Sequence, residues 1–155
     1  MKAINTIRKL RECALGIINE LSLEELNHIP AGFKNNIAWN LGHMVAAQQG
    51  VCYKRAGLPI VVEESYFEKY KPATMPEGPI TQEELDEINS LLFSTLDQLE
   101  KDYAAGIFTN YGKFTTRYGV ELASIEDAVD FLPFHDGFHM GYMLALRRAG
   151  NRNRD

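Results

Sequence analysis

The sequence predicts an all-α protein, a four-helix bundle with a long crossover between its second and third helices. Three observations predict it. Four segments repeat apolar residues at three- and four-residue spacing, the period of a helix buried on one face. Capping and stop residues bracket those segments. The chain has 155 residues, 45% of them hydrophobic and 24% charged. That is the size and composition of one globular domain whose core suffices without a disulfide or structural metal. The domain is expected over residues 1–150, and the polar tail 151–155 is expected to fray.

The first helix is predicted from about Ala3 to Leu21, with Ile4, Ile7, Ala14, Ile18 and Leu21 on one stripe. Ser22 with Glu25 reads as a capping box for a short further turn ending near His28. The second helix is predicted over Asn36 to Arg55, with Asn36 as N-cap and Gly57 and Pro59 as stops. Residues 58–80 hold Pro59, Pro72, Pro76 and Pro79 and form a connection long enough to be functional. Extended, it spans a helix of about 30 Å, so the helices it joins can lie parallel. The third helix is predicted over Gln82 to Tyr103, opened by a Thr81–Glu84 capping box and buried through Leu85, Ile88, Leu92, Leu96 and Leu99. Residues 107–122, rich in aromatic and β-branched types, read as a loop with room for a small hairpin. The fourth helix is predicted from Ile125 to Ala149, capped by Ser124, with Asp127 in its first turn and Gly150 at its end. Pro133 is expected to kink it or divide it into two collinear pieces.

Composition removes several function classes. Sixteen Lys and Arg face 21 Asp and Glu, for a formal charge of −5. An acidic chain with no run of basic residues is poorly suited to nucleic acid. No stretch approaches the ~20 apolar residues of a membrane span, and the short apolar run 14–18 does not make a secretory leader. Cys13 and Cys52 lie in predicted helices without C-x-x-C spacing. That pattern suggests two core thiols and a cytoplasmic location. No Gly-rich phosphate loop or Ser-His-Asp motif is present.

The histidines carry the chemistry. His135 and His139 stand four apart, one above the other on a helix face. The stripe Ile125, Ala128, Leu132, His135, His139, Tyr142, Leu146 steps by three and four, which places both at core positions. His43 has its own stripe of Trp39, Ala46, Gly50 and Tyr53, whose small members admit a neighbouring helix or a ligand. An unpartnered polar ring in a core costs about 1–3 kcal/mol, so three at seam positions ask for a partner. Two histidines on one helix and one on another can hold a metal ion inside a bundle. Buried histidines that merely hydrogen-bond to backbone or Tyr are the plain alternative. Three nitrogens would leave an ion open positions, the catalytic pattern.

The stretches Asn-Asn-Ile-Ala-Trp-Asn-Leu-Gly-His (35–43) and Phe-His-Asp-Gly-Phe-His-Met-Gly-Tyr (134–142) resemble the second- and fourth-helix signatures of the DinB/YfiT-like superfamily. The resemblance implies a four-helix bundle with a crossover. It also implies a three-histidine site, here His43, His135 and His139, for zinc, nickel or a similar divalent ion. Some members are thiol-S-transferases that use a low-molecular-weight thiol such as bacillithiol, or thiol-dependent isomerases.

Around that site, Asp136, Tyr142 and Asn40 are candidate neighbours of the ligands, and Trp39, Tyr66 and Phe67 candidate pocket walls. H-D-x-x-H is similar to the H-E-x-x-H of zinc proteases, but no His, Glu or Cys follows His139 to complete such a site. Cys52, nine residues after His43, points the other way round the helix, so a reacting thiol would come from a substrate. Gly141 is expected to admit a neighbouring helix, and His28 to be exposed. Two functions fit: a metal-dependent transferase or hydrolase acting on a small molecule, or a non-catalytic metal- or ligand-binding stress protein. A homodimer formed through helix faces is compatible with both.

Overall fold

The computed structural model describes residues 1–151; the expected tail beyond Asn151 lies outside the described residues. The chain is mostly helical: α1 (Lys2–Ile18), α2 (Leu23–Asn27), α3 (Ile37–Gln48), a π-helical continuation (Gln49–Lys54), α4 (Glu64–Tyr70), α5 (Gln82–Ala104), a two-stranded hairpin of β1 (Phe114–Thr115) and β2 (Glu121–Leu122), and α6 (Ile125–Asn151). The four helices expected from periodicity are α1, α3, α5 and α6. Helices α1 and α3 each pack on both α5 and α6.

Side-chain caps open α2, α3, α5 and α6. Asn36 accepts the Trp39 amide at 2.8 Å to open α3. Ser22 with Glu25 and Thr81 with Glu84 form reciprocal capping boxes for α2 and α5. The second predicted helix changes geometry at Gln49, where one π-helical turn replaces the α-helical end. Spacing alone carries no mark of such a turn. Connection 58–80 contains α4, whose Tyr66, Phe67 and Tyr70 are buried against the core. The hairpin pairs Phe114 with Leu122 and Thr115 with Glu121.

At α6 one alternative falls away and one expectation is corrected. Pro133 does not divide it: the helix runs unbroken, its neighbouring residues Leu132 and Phe131 held in buried positions. Gly150 does not end it either, because Gly150 and Asn151 remain helical. One cluster of buried side chains centres on α3 and includes Trp39, Leu41, Met44, Leu92 and Met143. A second gathers Ile4, Ile7, Cys52, Tyr53, Leu96 and Leu132. Among the described residues, no helix is long and apolar enough to cross a membrane.

Both cysteines are free; Cys52 is buried as expected, but Cys13 is exposed. It sits one step off the Ile4–Ile7–Ala14–Ile18 stripe, and one step turns a side chain by 100°.

Candidate metal centre

Helix α3 supplies His43, and α6 supplies His135 and His139 one turn apart. One ligand nitrogen from each lies within 4.8 Å of the others. The ring centroids of His135 and His139 are 4.5 Å apart, and those of His43 stand 5.3 and 4.7 Å from them. Among the described residues this is the cluster of His, Cys, Asp or Glu able to hold an ion.

Hydrogen bonds aim the rings. His43 Nδ1 lies 2.7 Å from the Tyr70 carbonyl oxygen. A carbonyl only accepts, so Nδ1 carries the proton and Nε2 keeps its lone pair. The Asn40 amide donates to the Asn36 carbonyl at 2.7 Å, which fixes its orientation. Its Oδ1 is then free to accept the His139 Nδ1 proton at 2.8 Å. His139 Nε2 is thereby left unprotonated as well. His135 Nδ1 faces Asp136 Oδ1 at a longer 3.4 Å. Burial, reinforced by the neighbouring His135, lowers the pKa of His43 to about 4. Burial together with His135 and His43 lowers that of His139 to about 2. Neutral imidazole is the metal-binding form, so the environment keeps both rings in the state that an ion requires.

Asp136 is fully buried and bound to Arg11, itself fully buried. Burial works against its charge, but Arg11 and His135 outweigh that and hold its carboxyl below the usual range. It is therefore no free general base. Arg11 also donates to Gln48 Oε1 at 3.0 Å and to the Leu92 carbonyl at 2.7 Å, and Gln48 donates to the Thr95 carbonyl at 2.9 Å. One network thus ties α1, α3, α5 and α6 together directly behind His135. Arg11 was the residue that sequence reasoning missed. Its signal lay in the stripe Ile4, Ile7, Ala14, Ile18, where position 11 completes the three-four spacing.

The imidazoles open into a cleft of about 1020 Å³. Trp39 lines it, stacked on His43 at 4.7 Å and 11°, with its Nε1 donating to Thr74 Oγ1 at 3.2 Å. Asn40, Tyr142 and Phe67 also line it, as does the segment Pro72–Met75. Tyr66 does not: its hydroxyl donates to the Gly42 carbonyl at 3.3 Å within the core. Gly50 lines the cleft, as its place on the His43 stripe suggested. The close approach expected at Gly141 occurs instead at Gly42, where an added Cβ would lie 2.6 Å from the Tyr70 ring, whereas Gly141 has nothing within 4 Å. Cys52 stays out of the cleft, and burial pushes its thiol up to about 12. His28 is exposed, as expected.

The far wall comes from the hairpin, whose place at the site has no local signature in the sequence. Tyr118 packs on Phe138 at 5.6 Å, and Phe138 on His139 at 5.8 Å. The sequence profile of the DinB superfamily matches residues 6–143. The chain belongs to the DinB superfamily. Both histidine-bearing segments of this DinB-superfamily domain fall inside the match. A comparison with curated proteins finds no match.

Proposed function

We propose that this DinB-superfamily chain is a metal-dependent enzyme, with His43, His135 and His139 holding one divalent ion, zinc or nickel, through their Nε2 atoms. The carrying observation is the set of ligand nitrogens within 4.8 Å of one another. The donor chemistry fits: two of the three Nδ1 atoms are committed to carbonyl oxygens, and His43 and His139 are held neutral. In this reading the helices α1, α3, α5 and α6 form a four-helix bundle, and connection 58–80 is its crossover.

When bound, such an ion supplies a lowered pKa to a coordinated water or thiol, which makes a nucleophile near neutral pH. The chain's own residues do the rest. Asn40 and the Tyr70 carbonyl fix the tautomers and directions of two ligand rings. Trp39, Phe67 and Tyr142 exclude water from one side and shape the space for a small molecule. No cysteine lines the cleft, so thiol transfer would use a substrate thiol, and hydrolysis would use water. The chain's part in either reaction is the same: three imidazoles, a walled cleft and an open approach. We place the protein in the cytoplasm and leave room for a homodimer.

The test is metal content by mass spectrometry on untagged protein, beside His135→Ala purified the same way. About one equivalent in the wild type and little in the variant supports the site. No metal in either, even after incubation with zinc or nickel, overturns it. Screens for thiol transfer and hydrolysis on the loaded protein then separate a catalyst from a metal-binding protein without turnover.

A further inference from the structure

A chain of net charge −5 would be expected to line its surface mostly with carboxylates. The cleft does the opposite. Lys34, Lys54, Arg55 and Arg117 line it, and among the described residues no Asp or Glu does. Lys54 is paired with Glu64 at 2.6 Å. Among the described residues Lys34, Arg55 and Arg117 have no carboxylate partner. The two guanidinium groups are nonetheless positioned. Arg55 lies over the Phe114 ring at 4.0 Å, and Arg117 over the Tyr118 ring at 5.3 Å. A guanidinium resting on a ring keeps its edge N–H donors free for an oxyanion. The hairpin turn holds Arg117 in place: Thr116 and Val120 close it with a 2.8 Å bond, and Gly119 takes φ 78. From Arg117 an aromatic wall runs through Tyr118 and Phe138 to His139.

We propose that this cleft takes an organic oxyanion, a carboxylate or phosphate on an apolar body, with Arg117 and Arg55 receiving the charged head and the aromatic wall the body. Lys34 adds charge at the opening. The anchor fixes the ligand's orientation, so that its other end lies toward the three imidazoles. This rests on reading the cleft as the substrate site, but it does not require the ion. Arg117 stands in the hairpin turn and Arg55 stacks on the hairpin's Phe114; among the described residues neither hydrogen-bonds to a histidine, although the Arg117 charge reaches His43 and His139.

Trp39 is the only tryptophan, and it lines the cleft, so its fluorescence reports occupancy. The full-length protein would be titrated with 4-phenylbutyrate, phenyl phosphate and neutral 4-phenylbutyramide, both stripped of metal with EDTA and loaded with zinc. In the stripped protein at least one anion should bind on the order of tenfold tighter than the amide, a preference weakened by salt. The tighter of the two anions names the head group. Arg117→Gln should erase most of the preference, Arg55→Gln part of it. Lys113→Gln should leave it unchanged, because Lys113 is outside the lining and pairs with Glu121 at 2.8 Å. Circular dichroism checks that each variant folds. Equal affinity for all three probes, or no binding by any, overturns the proposal. So does a preference confined to the zinc-loaded protein, since the head would then be a metal ligand. Failure of the metal reading shows separately, in metal content.

Discussion

Arg11 Nε donates to Asp136 Oδ2 at 2.9 Å, across 125 residues of sequence and with both side chains fully buried. The pair joins the first helix to the helix that carries two of the three clustered histidines. Asp136 also faces His135, so the same carboxylate that neutralises Arg11 stands behind a candidate ligand. Burying two charges is costly, and the cost is met only while both are present and fully hydrogen-bonded.

Asp136→Asn should therefore destabilise the protein by about 3–5 kcal/mol, because it leaves the Arg11 guanidinium buried and uncompensated. The double variant Arg11→Met/Asp136→Leu should recover most of that loss. Urea denaturation of the wild type, both single variants and the double variant measures it. A single-variant cost below about 1 kcal/mol would mean that the pair is not buried as described.

Asn40→Ala removes the acceptor that fixes the His139 tautomer. If the ring holds an ion, metal affinity should fall about 10–100-fold, the usual cost of losing such an outer partner. Competition against a chromophoric chelator gives the number. Asn40→Asp keeps an acceptor at the same place and should lose far less. Equal affinity in wild type and Asn40→Ala would detach Asn40 from the site.

The histidines were legible in the sequence because they sit at seam positions, and three-four periodicity exposes a polar residue in an apolar stripe. His43, His135 and His139 all emerged that way, and the structure brings them together. Arg11 obeyed the same rule, but a long cation in a stripe is easily read as a break in it. The helices α1, α3, α5 and α6 were legible from their caps and stripes. What periodicity could not show was the connections. The burial of Tyr66 beneath Gly42, the exposure of Gly141 and the hairpin wall all depend on how the connections, one of them carrying the short helix α4, cross the long helices. Those are tertiary contacts without a local signature. The continuity of α6 through Pro133 is likewise decided by packing on both sides rather than by the proline's own preference.

Gly42 explains why a glycine precedes His43. An added Cβ would meet the Tyr70 ring at 2.6 Å, while the Tyr70 carbonyl receives the His43 proton. Gly42→Ala must move Tyr70, and His43 with it. The expected cost is about 1–3 kcal/mol of stability, typical of overpacking, together with weaker metal binding. Gly141→Ala, with open space around it, should change neither and is the control. Thermal melts and metal titrations of the two variants make the comparison. Equal behaviour would show that Tyr70 yields without strain.

The neutral burial of His43 makes a prediction about pH for the metal-free protein. Its folded pKa, about 4, lies below the ordinary 6.5. The unfolded chain therefore binds the proton first as pH falls, and stability rises with pH between those two values. The contribution is complete above about pH 6.5, and His43 alone should lose about 2 kcal/mol by pH 5. His139, lowered further, acts in the same direction, and so does Asp136 at lower pH, since its folded carboxyl is also depressed. Urea midpoints in EDTA between pH 5 and 8 should decline toward the acid end. His43→Leu should flatten part of that slope, because it removes a group that must stay neutral to be buried. A wild-type curve level from pH 5 to 7 would mean that the imidazoles accept protons in place, and the cluster would then be wetter than its packing against Trp39 and Tyr70 allows.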